Sequence, residues 1–246
     1  MKSKSRLDQL LVDRGLAESK ARAHALVMAG VVFSGEQRLD KPGRMVDPTL
    51  DVEVRGAPHP WVSRGGVKLA HGLAHFGLAP AGKVCLDVGA STGGFTDVLL
   101  HGGAARVYAV DVGKGQLDWK LRQDPRVVVK EGLNARALTS ADVPEPIDLI
   151  VCDASFIGLE VVLPAALGLA KPKGALIALI KPQFEVGPER VGKGGVVRDE
   201  ALHVEVVARI AAWLETQGWS VLGTEPSPLL GPAGNREFLV AARRRG

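Results

Sequence analysis

Residues 84–95 read Val84-Cys85-Leu86-Asp87-Val88-Gly89-Ala90-Ser91-Thr92-Gly93-Gly94-Phe95. An apolar run ends in an acidic residue and a glycine-rich turn, and a helix follows: the strand–turn–helix of a nucleotide-cradling α/β fold. The glycines are spaced G-x-x-x-G-G rather than G-x-G-x-x-G, and Asp87 sits just before the turn. A carboxylate there repels a pyrophosphate and accommodates a cation. S-adenosylmethionine carries a sulfonium and an ammonium and no phosphate, so it suits this turn better than NAD does. The contact candidates are Asp87, Gly89, Ala90, Ser91, Thr92, Gly93, Gly94 and Phe95.

Around this stretch, strand-like runs fall at 84–88, 106–111, 126–130, 147–153, 175–181, 219–224 and 236–242, and helical segments at 66–77, 95–102, 116–122, 158–170 and 200–217. The alternation predicts a doubly wound, mostly parallel seven-stranded sheet with helices on both faces. Continuous apolar strands such as 147–151 fit burial on both sides. Asp111 ends the second run, 22 positions after Gly89, where a carboxylate accepts both hydrogen bonds of a ribose diol. Asn134, after the third run, is a candidate for the adenine edge.

The chain has 246 residues, 46% hydrophobic and 24% charged, with net charge +4. That length suits one large domain and a small one. Residues 1–44 hold nine Lys/Arg against five acids, an excess equal to that of the whole chain, and Arg243-Arg244-Arg245 closes it. Basic residues gathered at one end suggest a polyanionic partner. Cys85 and Cys152 lie in apolar runs, as expected of a reduced, cytoplasmic protein without a disulfide framework. No long apolar run follows the basic start, and the best one, Ala175 to Ile180, is too short to span a membrane.

The first unit is expected at 1–60, with Ala57-Pro58-His59-Pro60 as linker, and the second at 61–246. Leu7, Leu10, Leu11 and Gly15 fit a short helix and its stop. Ser19 caps a second helix carrying Ala23, Leu26 and Val27 and ending at Gly30, and short strands follow. The residues Arg6-Leu7-Asp8-Gln9-Leu10-Leu11, Gly15, Ser19-Lys20-Ala21-Arg22-Ala23 and Met28-Ala29-Gly30-Val31-Val32 resemble the small α+β RNA-binding domain of a ribosomal protein, the alpha-L motif. The resemblance implies phosphate contacts to folded RNA from Arg6, Lys20 and Arg22, with Arg64 added at the start of the second unit.

Asp153 ends the fourth strand and Lys181 the fifth, so both project over the cofactor edge. The Asn/Asp-Pro-Pro-aromatic motif of amino-group methyltransferases is absent after the fourth strand. A lysine at the next strand end suits a hydroxyl substrate: an ammonium lowers the hydroxyl pKa, or a neutral amine takes the proton. The second unit resembles the FtsJ/RrmJ-type ribose 2′-O-methyltransferases, a Rossmann-like class I fold with a Lys-Asp-Lys-Glu tetrad, matched here by Lys68, Asp153, Lys181 and Glu237. Together with the first unit and Lys181-Pro182-Gln183-Phe184-Glu185, the whole chain resembles the TlyA family.

That resemblance implies S-adenosylmethionine-dependent 2′-O-methylation of cytidine in ribosomal RNA, free or in subunits, with some members labelled hemolysins. Lys181 is then expected to activate the hydroxyl, Asp153 and Glu237 to hold Lys181 and the ribose, and Lys68 to position the substrate. Phe156 is placed to stack on the target base. Asp153-Ala154-Ser155-Phe156 departs from the simpler FtsJ-type enzymes on the base side. Glu237 is read as lying inside an apolar strand, and an ion pair between Lys181 and Glu237 is the structural alternative. The glycine-rich segment 185–198 is expected to be flexible, either as a lid or as an unstructured loop. His71 and His75, at i and i+4, show no third ligand and read as helix-surface residues, so no metal is expected. Two rival functions remain: a non-catalytic RNA-binding or ribosome-assembly protein, and a membrane-lytic hemolysin. The oligomeric state stays open.

Overall fold

The computed structural model describes residues 4–17, 19–35, 37–54, 59–231 and 233–246. The chain divides into two compact units, Met1–Ser63 and Arg64–Gly246. Residues 1–3 of the basic start and Ala57 and Pro58 of the expected linker lie outside the described residues.

In the first unit, β1 (Ser5–Arg6) leads directly into α1 (Leu7–Asp13), and α2 (Lys20–Met28) follows. The Ser19 side chain accepts a hydrogen bond from the Arg22 N–H at 3.2 Å, the N-cap expected of it. Strands β2 (Val32–Ser34), β3 (Gln37–Arg38), β4 (Met45–Val46) and β5 (Glu53–Val54) form a three-stranded antiparallel sheet in the order β3-β2-β5 and a β1-β4 ribbon. Leu7, Leu10, Leu11, Ala23, Leu26, Val27, Val32 and Leu39 close a core of their own.

The second unit contains α3 (Gly65–His75), β6 (Val84–Val88), α4 (Gly94–His101), β7 (Arg106–Asp111), α5 (Trp119–Arg122), β8 (Val127–Glu131), β9 (Ile147–Cys152), α6 (Leu159–Val162), α7 (Pro164–Gly168), β10 (Ala170–Ile180), α8 (Pro182–Glu185), α9 (Glu200–Thr216), β11 (Trp219–Pro226) and β12 (Phe238–Arg244). Its seven strands run β11-β12-β10-β9-β6-β7-β8. The five strands from β10 to β8 are parallel, and β12 inserts antiparallel between β10 and β11. From β6 the chain winds outward through β7 and β8, then returns through β9 and β10 on the other side. The carboxyl ends of β6 and β9 therefore form the switch point where an open α/β sheet binds its ligand.

Both faces of these strands are covered. Leu86, Val88, Ile150, Cys152, Leu176, Ile180, Ile210 and Trp219 belong to one cluster, all almost fully buried. Cys85 and Cys152 are free and buried, and burial pushes each thiol up to about 12, so neither is a thiolate at neutral pH. Among the described residues no helix is long and apolar enough to cross a membrane.

Four expected elements shift, and the first is the helix expected over 158–170, which breaks at Leu163 before Pro164 into α6 and α7. The helix read over 116–122 is a single turn, α5, because Asp118 caps it from within by accepting the Lys120 N–H. Strand β10 starts early, at Ala170, with an irregularity before Ala175 where Lys173 takes φ 64°. Strand β12 starts at Phe238, so Glu237 is not inside an apolar strand but in the segment just before it.

Candidate active site

Asp87 is fully buried at the end of β6. One carboxylate oxygen accepts the Thr96 hydroxyl at 2.7 Å, and the other, Oδ1, has no hydrogen-bond partner. Burial raises this carboxyl to about 7, helped by the charges of Asp153 and Asp111 and opposed by the Thr96 bond. The turn beyond it depends on its glycines. Gly89 has φ +81°, and a Cβ there would lie 2.9 Å from the backbone N and Cα of Ala154. Gly93, the residue before α4, has φ +97°, and a Cβ there would meet the Leu121 side chain. Ala90 and Phe95 are buried, while Ser91 and Thr92 are exposed. Asp111 Oδ2 accepts the Ser91 N–H at 2.9 Å and Oδ1 the Gly113 N–H at 2.7 Å, so this carboxylate ties two turns together at the switch point.

The donor set fits S-adenosylmethionine. A buried carboxylate oxygen without a partner favours a cation, and no Lys or Arg between residues 84 and 105 offers a phosphate a counter-charge. Asn134 gives its side-chain oxygen to the Arg136 N–H at 3.1 Å, which leaves its NH₂ as the group free for an adenine edge. Glu131, at the end of β8, had no distinguishing sequence pattern. It accepts the N–H groups of Gly115, Gln116 and Leu117 and pairs with Arg122 at 2.8 Å. The Arg122 guanidinium first, then those N–H groups, hold its carboxyl down at about 2.

The tetrad divides into two pairs. Lys181, just past β10, is almost fully buried. Its Nζ lies 2.7 Å from Asp153 Oδ1 and donates to the Asp153 carbonyl at 3.0 Å and to the Ser155 hydroxyl at 2.8 Å. Lys68 on α3 is buried too, not solvated, and its Nζ pairs with Glu237. The expected partnership of Glu237 with Lys181 is thus corrected: β12 brings Glu237 to α3, and Lys181 is held from the β9 side. Ser155 has no place in the tetrad pattern and was missed; only its closeness to Asp153 hinted at it. Phe156 is 89% exposed with φ +66°, its ring centroid 5.0 Å from that of Phe184. A bulky residue held at positive φ with its ring in solvent is strained, and such strain gathers at functional sites.

Segment 185–198 is pinned in place. Glu185 accepts the Leu159 N–H at 2.8 Å and meets Arg209 at 3.1 Å, and Arg190 forms a forked pair with Glu205. Asn235, two residues before Glu237 and buried, accepts the Val197 N–H at 2.9 Å and donates to the Gly195 carbonyl at 2.9 Å. A cleft of about 320 Å³ beside this segment is lined by Val197, Arg198, His203 and Arg236 among others.

Of the basic candidates, Lys20 is exposed, and Arg22 and Arg64 are half-buried. Arg6 is forked onto the buried Asp8 at 2.6 and 3.0 Å, and that pairing lowers the Asp8 pKa. At the C-terminus, Arg243 donates to the Lys173 carbonyl at 3.3 Å, Arg244 to the Ala170 carbonyl, and Arg245 pairs with Glu215. The closing arginines therefore fasten β12 to β10 and to α9. One further expectation is corrected: His71 and His75 do have a third neighbour, Glu225 on β11.

Residues 61–244 match the family described as FtsJ-like methyltransferase, and residues 5–52 match the S4 domain. The chain is 48% identical over 244 residues to the 16S/23S rRNA (cytidine-2′-O)-methyltransferase TlyA of Mycobacterium tuberculosis, covering 99% of this chain and 91% of that protein. It is 37% identical over 236 residues to Hemolysin A of Brachyspira hyodysenteriae, covering 96% and 98%. A solved structure from Streptococcus thermophilus, provisionally described as a hemolysin, superposes with a TM-score of 0.79 at 42% identity, covering 100% of this chain and 90% of that one.

Proposed function

The chain belongs to the TlyA family of FtsJ-like methyltransferases, and on that premise we propose that it methylates the ribose 2′-hydroxyl of a cytidine in ribosomal RNA. The carrying observation is the Lys181–Asp153 pair at the carboxyl edge beside the Asp87–Phe95 turn, with Lys181 buried and Asp153 half-buried. S-adenosylmethionine, when bound, supplies an electrophilic methyl group. Asp87, Gly89 to Phe95, Asp111 and Asn134 would hold it.

Lys181 Nζ has three acceptors around it, which is all an ammonium can serve. A ribose hydroxyl enters by displacing Ser155, the one exposed and uncharged partner besides the backbone. Lys181 Nζ, held by the Asp153 carboxylate 2.7 Å away, donates to the 2′-oxygen and stabilises the negative charge that grows there as the hydroxyl proton leaves to water. S-adenosylmethionine bound there would supply the methyl group that the ribose oxygen takes, with its carbon–sulfur bond the one broken. The Lys68–Glu237 pair, buried where α3 meets the segment before β12, orients the ribose, and Phe156 stacks on the base drawn out of its helix. The first unit, through Lys20 and Arg22, carries the phosphate contacts.

The test is to map 2′-O-methyl groups on ribosomal RNA and on isolated subunits treated with the protein and S-adenosylmethionine. One or a few cytidines gain the mark, and Lys181→Ala loses it while RNA binding stays within about threefold. Methylation of a base, or full activity in Lys181→Ala, overturns the reading.

A further inference from the structure

His71 and His75 stand one turn apart on the same face of α3, their ring centroids 5.9 Å apart. From the edge strand β11, Glu225 reaches between them: its Oε1 is 3.4 Å from His71 Nε2 and its Oε2 3.7 Å from His75 Nε2. One donor atom from each of the three residues lies within 4.8 Å of the others. His71 Nε2 is itself buried without a hydrogen-bond partner.

Both separations exceed the roughly 2.7–3.2 Å of a nitrogen–oxygen hydrogen bond. Each is close to the edge of a coordination tetrahedron, about 3.3–3.5 Å for metal–ligand bonds of about 2.0–2.1 Å; the two are made by different oxygens of the carboxylate, so an ion draws one Glu225 oxygen towards both rings. Two imidazoles and one carboxylate are the donors of a borderline divalent ion; Ca²⁺ and Mg²⁺ prefer all-oxygen sites, and Cu(I) prefers sulfur. The side chains are 37%, 43% and 29% exposed, so an ion has a path in and water can fill the fourth corner.

The geometry points to a Zn²⁺-class site formed by His71, His75 and Glu225 that clamps α3 onto the β11 edge of the sheet. Lys68 lies one turn before His71 on the same helix and pairs with Glu237, just before the neighbouring strand β12. The ion and the buried pair thus fasten one helix to adjacent strands at two points. The site shares α3 with Lys68 but uses none of the methyl-transfer residues, and it does not depend on their assignment.

Tag-free, chelator-stripped full-length protein is titrated with Co²⁺, and the visible absorption of a tetrahedral centre is followed. One equivalent binds per chain, and Zn²⁺ displaces it. His75→Ala and Glu225→Gln each weaken binding by at least about tenfold, and His24→Ala does not. Because all three ligands are part-exposed, these variants fold, which circular dichroism confirms. Zn²⁺ also slows amide hydrogen exchange in α3 of the unsubstituted protein and not of His75→Ala. Absence of stoichiometric binding, or binding that survives His75→Ala or Glu225→Gln, overturns the site. Binding that leaves α3 exchange unchanged overturns the clamp.

Discussion

Lys68 and Glu237, 169 positions apart, form a buried ion pair that joins α3 to the segment entering β12. Removing one partner leaves the other charge buried without compensation, a cost of about 3–5 kcal/mol, whereas replacing both with apolar residues is often neutral. Glu237→Leu alone therefore lowers thermal stability strongly, and Lys68→Met with Glu237→Leu restores most of it. If the pair also orients the ribose, the double variant stays inactive although it is folded. Calorimetry read beside methyl transfer separates the two roles, and an active double variant removes the pair from the catalytic assignment.

Ser155 occupies a donor of Lys181 at 2.8 Å. As a placeholder for the substrate hydroxyl, it is dispensable: Ser155→Ala keeps kcat within about threefold, since the ribose supplies the missing acceptor. A fall of a hundredfold or more in kcat shows instead that the serine is a required part of the proton path.

The Asp87 carboxyl, raised to about 7 chiefly by burial, couples cofactor binding to pH. An unfolded aspartate titrates near about 3.9, so between there and 7 the folded state holds a proton that the unfolded state lacks. The stabilisation from this group is full below about 4 and is lost as pH rises towards 7. A cation at Oδ1 favours the ionised form. S-adenosylhomocysteine, which keeps the ammonium, should bind more tightly as pH rises through about 7, by at most about tenfold per unit, and then level off. Asp87→Asn flattens the profile. Calorimetric titration on either side of pH 7 checks this, and a flat profile in the unsubstituted protein removes the contact.

Gly89 joins the β6 turn to the end of β9, and its left-handed φ and the 2.9 Å at which a Cβ would meet the Ala154 backbone both exclude a side chain. Gly89→Ala costs about 2 kcal/mol in backbone strain and displacement, a fall of about 4–8 °C in Tm for a unit of this size. Cofactor affinity falls with it, because the turn must move off the ligand. A thermal scan with and without S-adenosylhomocysteine reads both effects; an unchanged Tm would mean that the turn is laxer than its geometry shows.

What the sequence made legible was local. The turn from Asp87 to Phe95 spans nine residues, and its glycine spacing, acidic lead and following helix are all short-range. The Ser19 cap and the core positions Leu7, Leu10 and Leu11 are equally local. Strand ends at Asp153 and Lys181 followed from apolar runs that stop at a charge. What escaped depends on the sheet order. Glu237 meets Lys68 and Glu225 meets the two histidines because β12 inserts antiparallel between β10 and β11, and no spacing along the chain encodes that insertion. Glu131 escaped because its partners are mostly backbone N–H groups, which leave no residue-type signature. Segment 185–198 reads as flexible from its glycines, yet distant partners hold it, among them Arg209, Glu205 and the buried Asn235 amide forty positions from Gly195.

That amide, Asn235, makes the last test. It satisfies the Val197 N–H and the Gly195 carbonyl at once, and the His203 ring holds the Val197 carbonyl at 3.0 Å. Asn235→Ala leaves two backbone groups of the segment without partners, a penalty of about 1–3 kcal/mol for each one that stays buried. Opening the segment to water avoids that penalty, so it detaches while the sheet beneath stays folded. Trypsin then cuts at Lys193, which is already exposed, several times faster than in the unsubstituted protein, with Tm little changed. If the segment also packs against RNA through Arg198 and Arg236, KM for RNA rises while kcat stays within about threefold. Equal cleavage rates would show that His203 and the Arg190–Glu205 fork are enough to hold the segment.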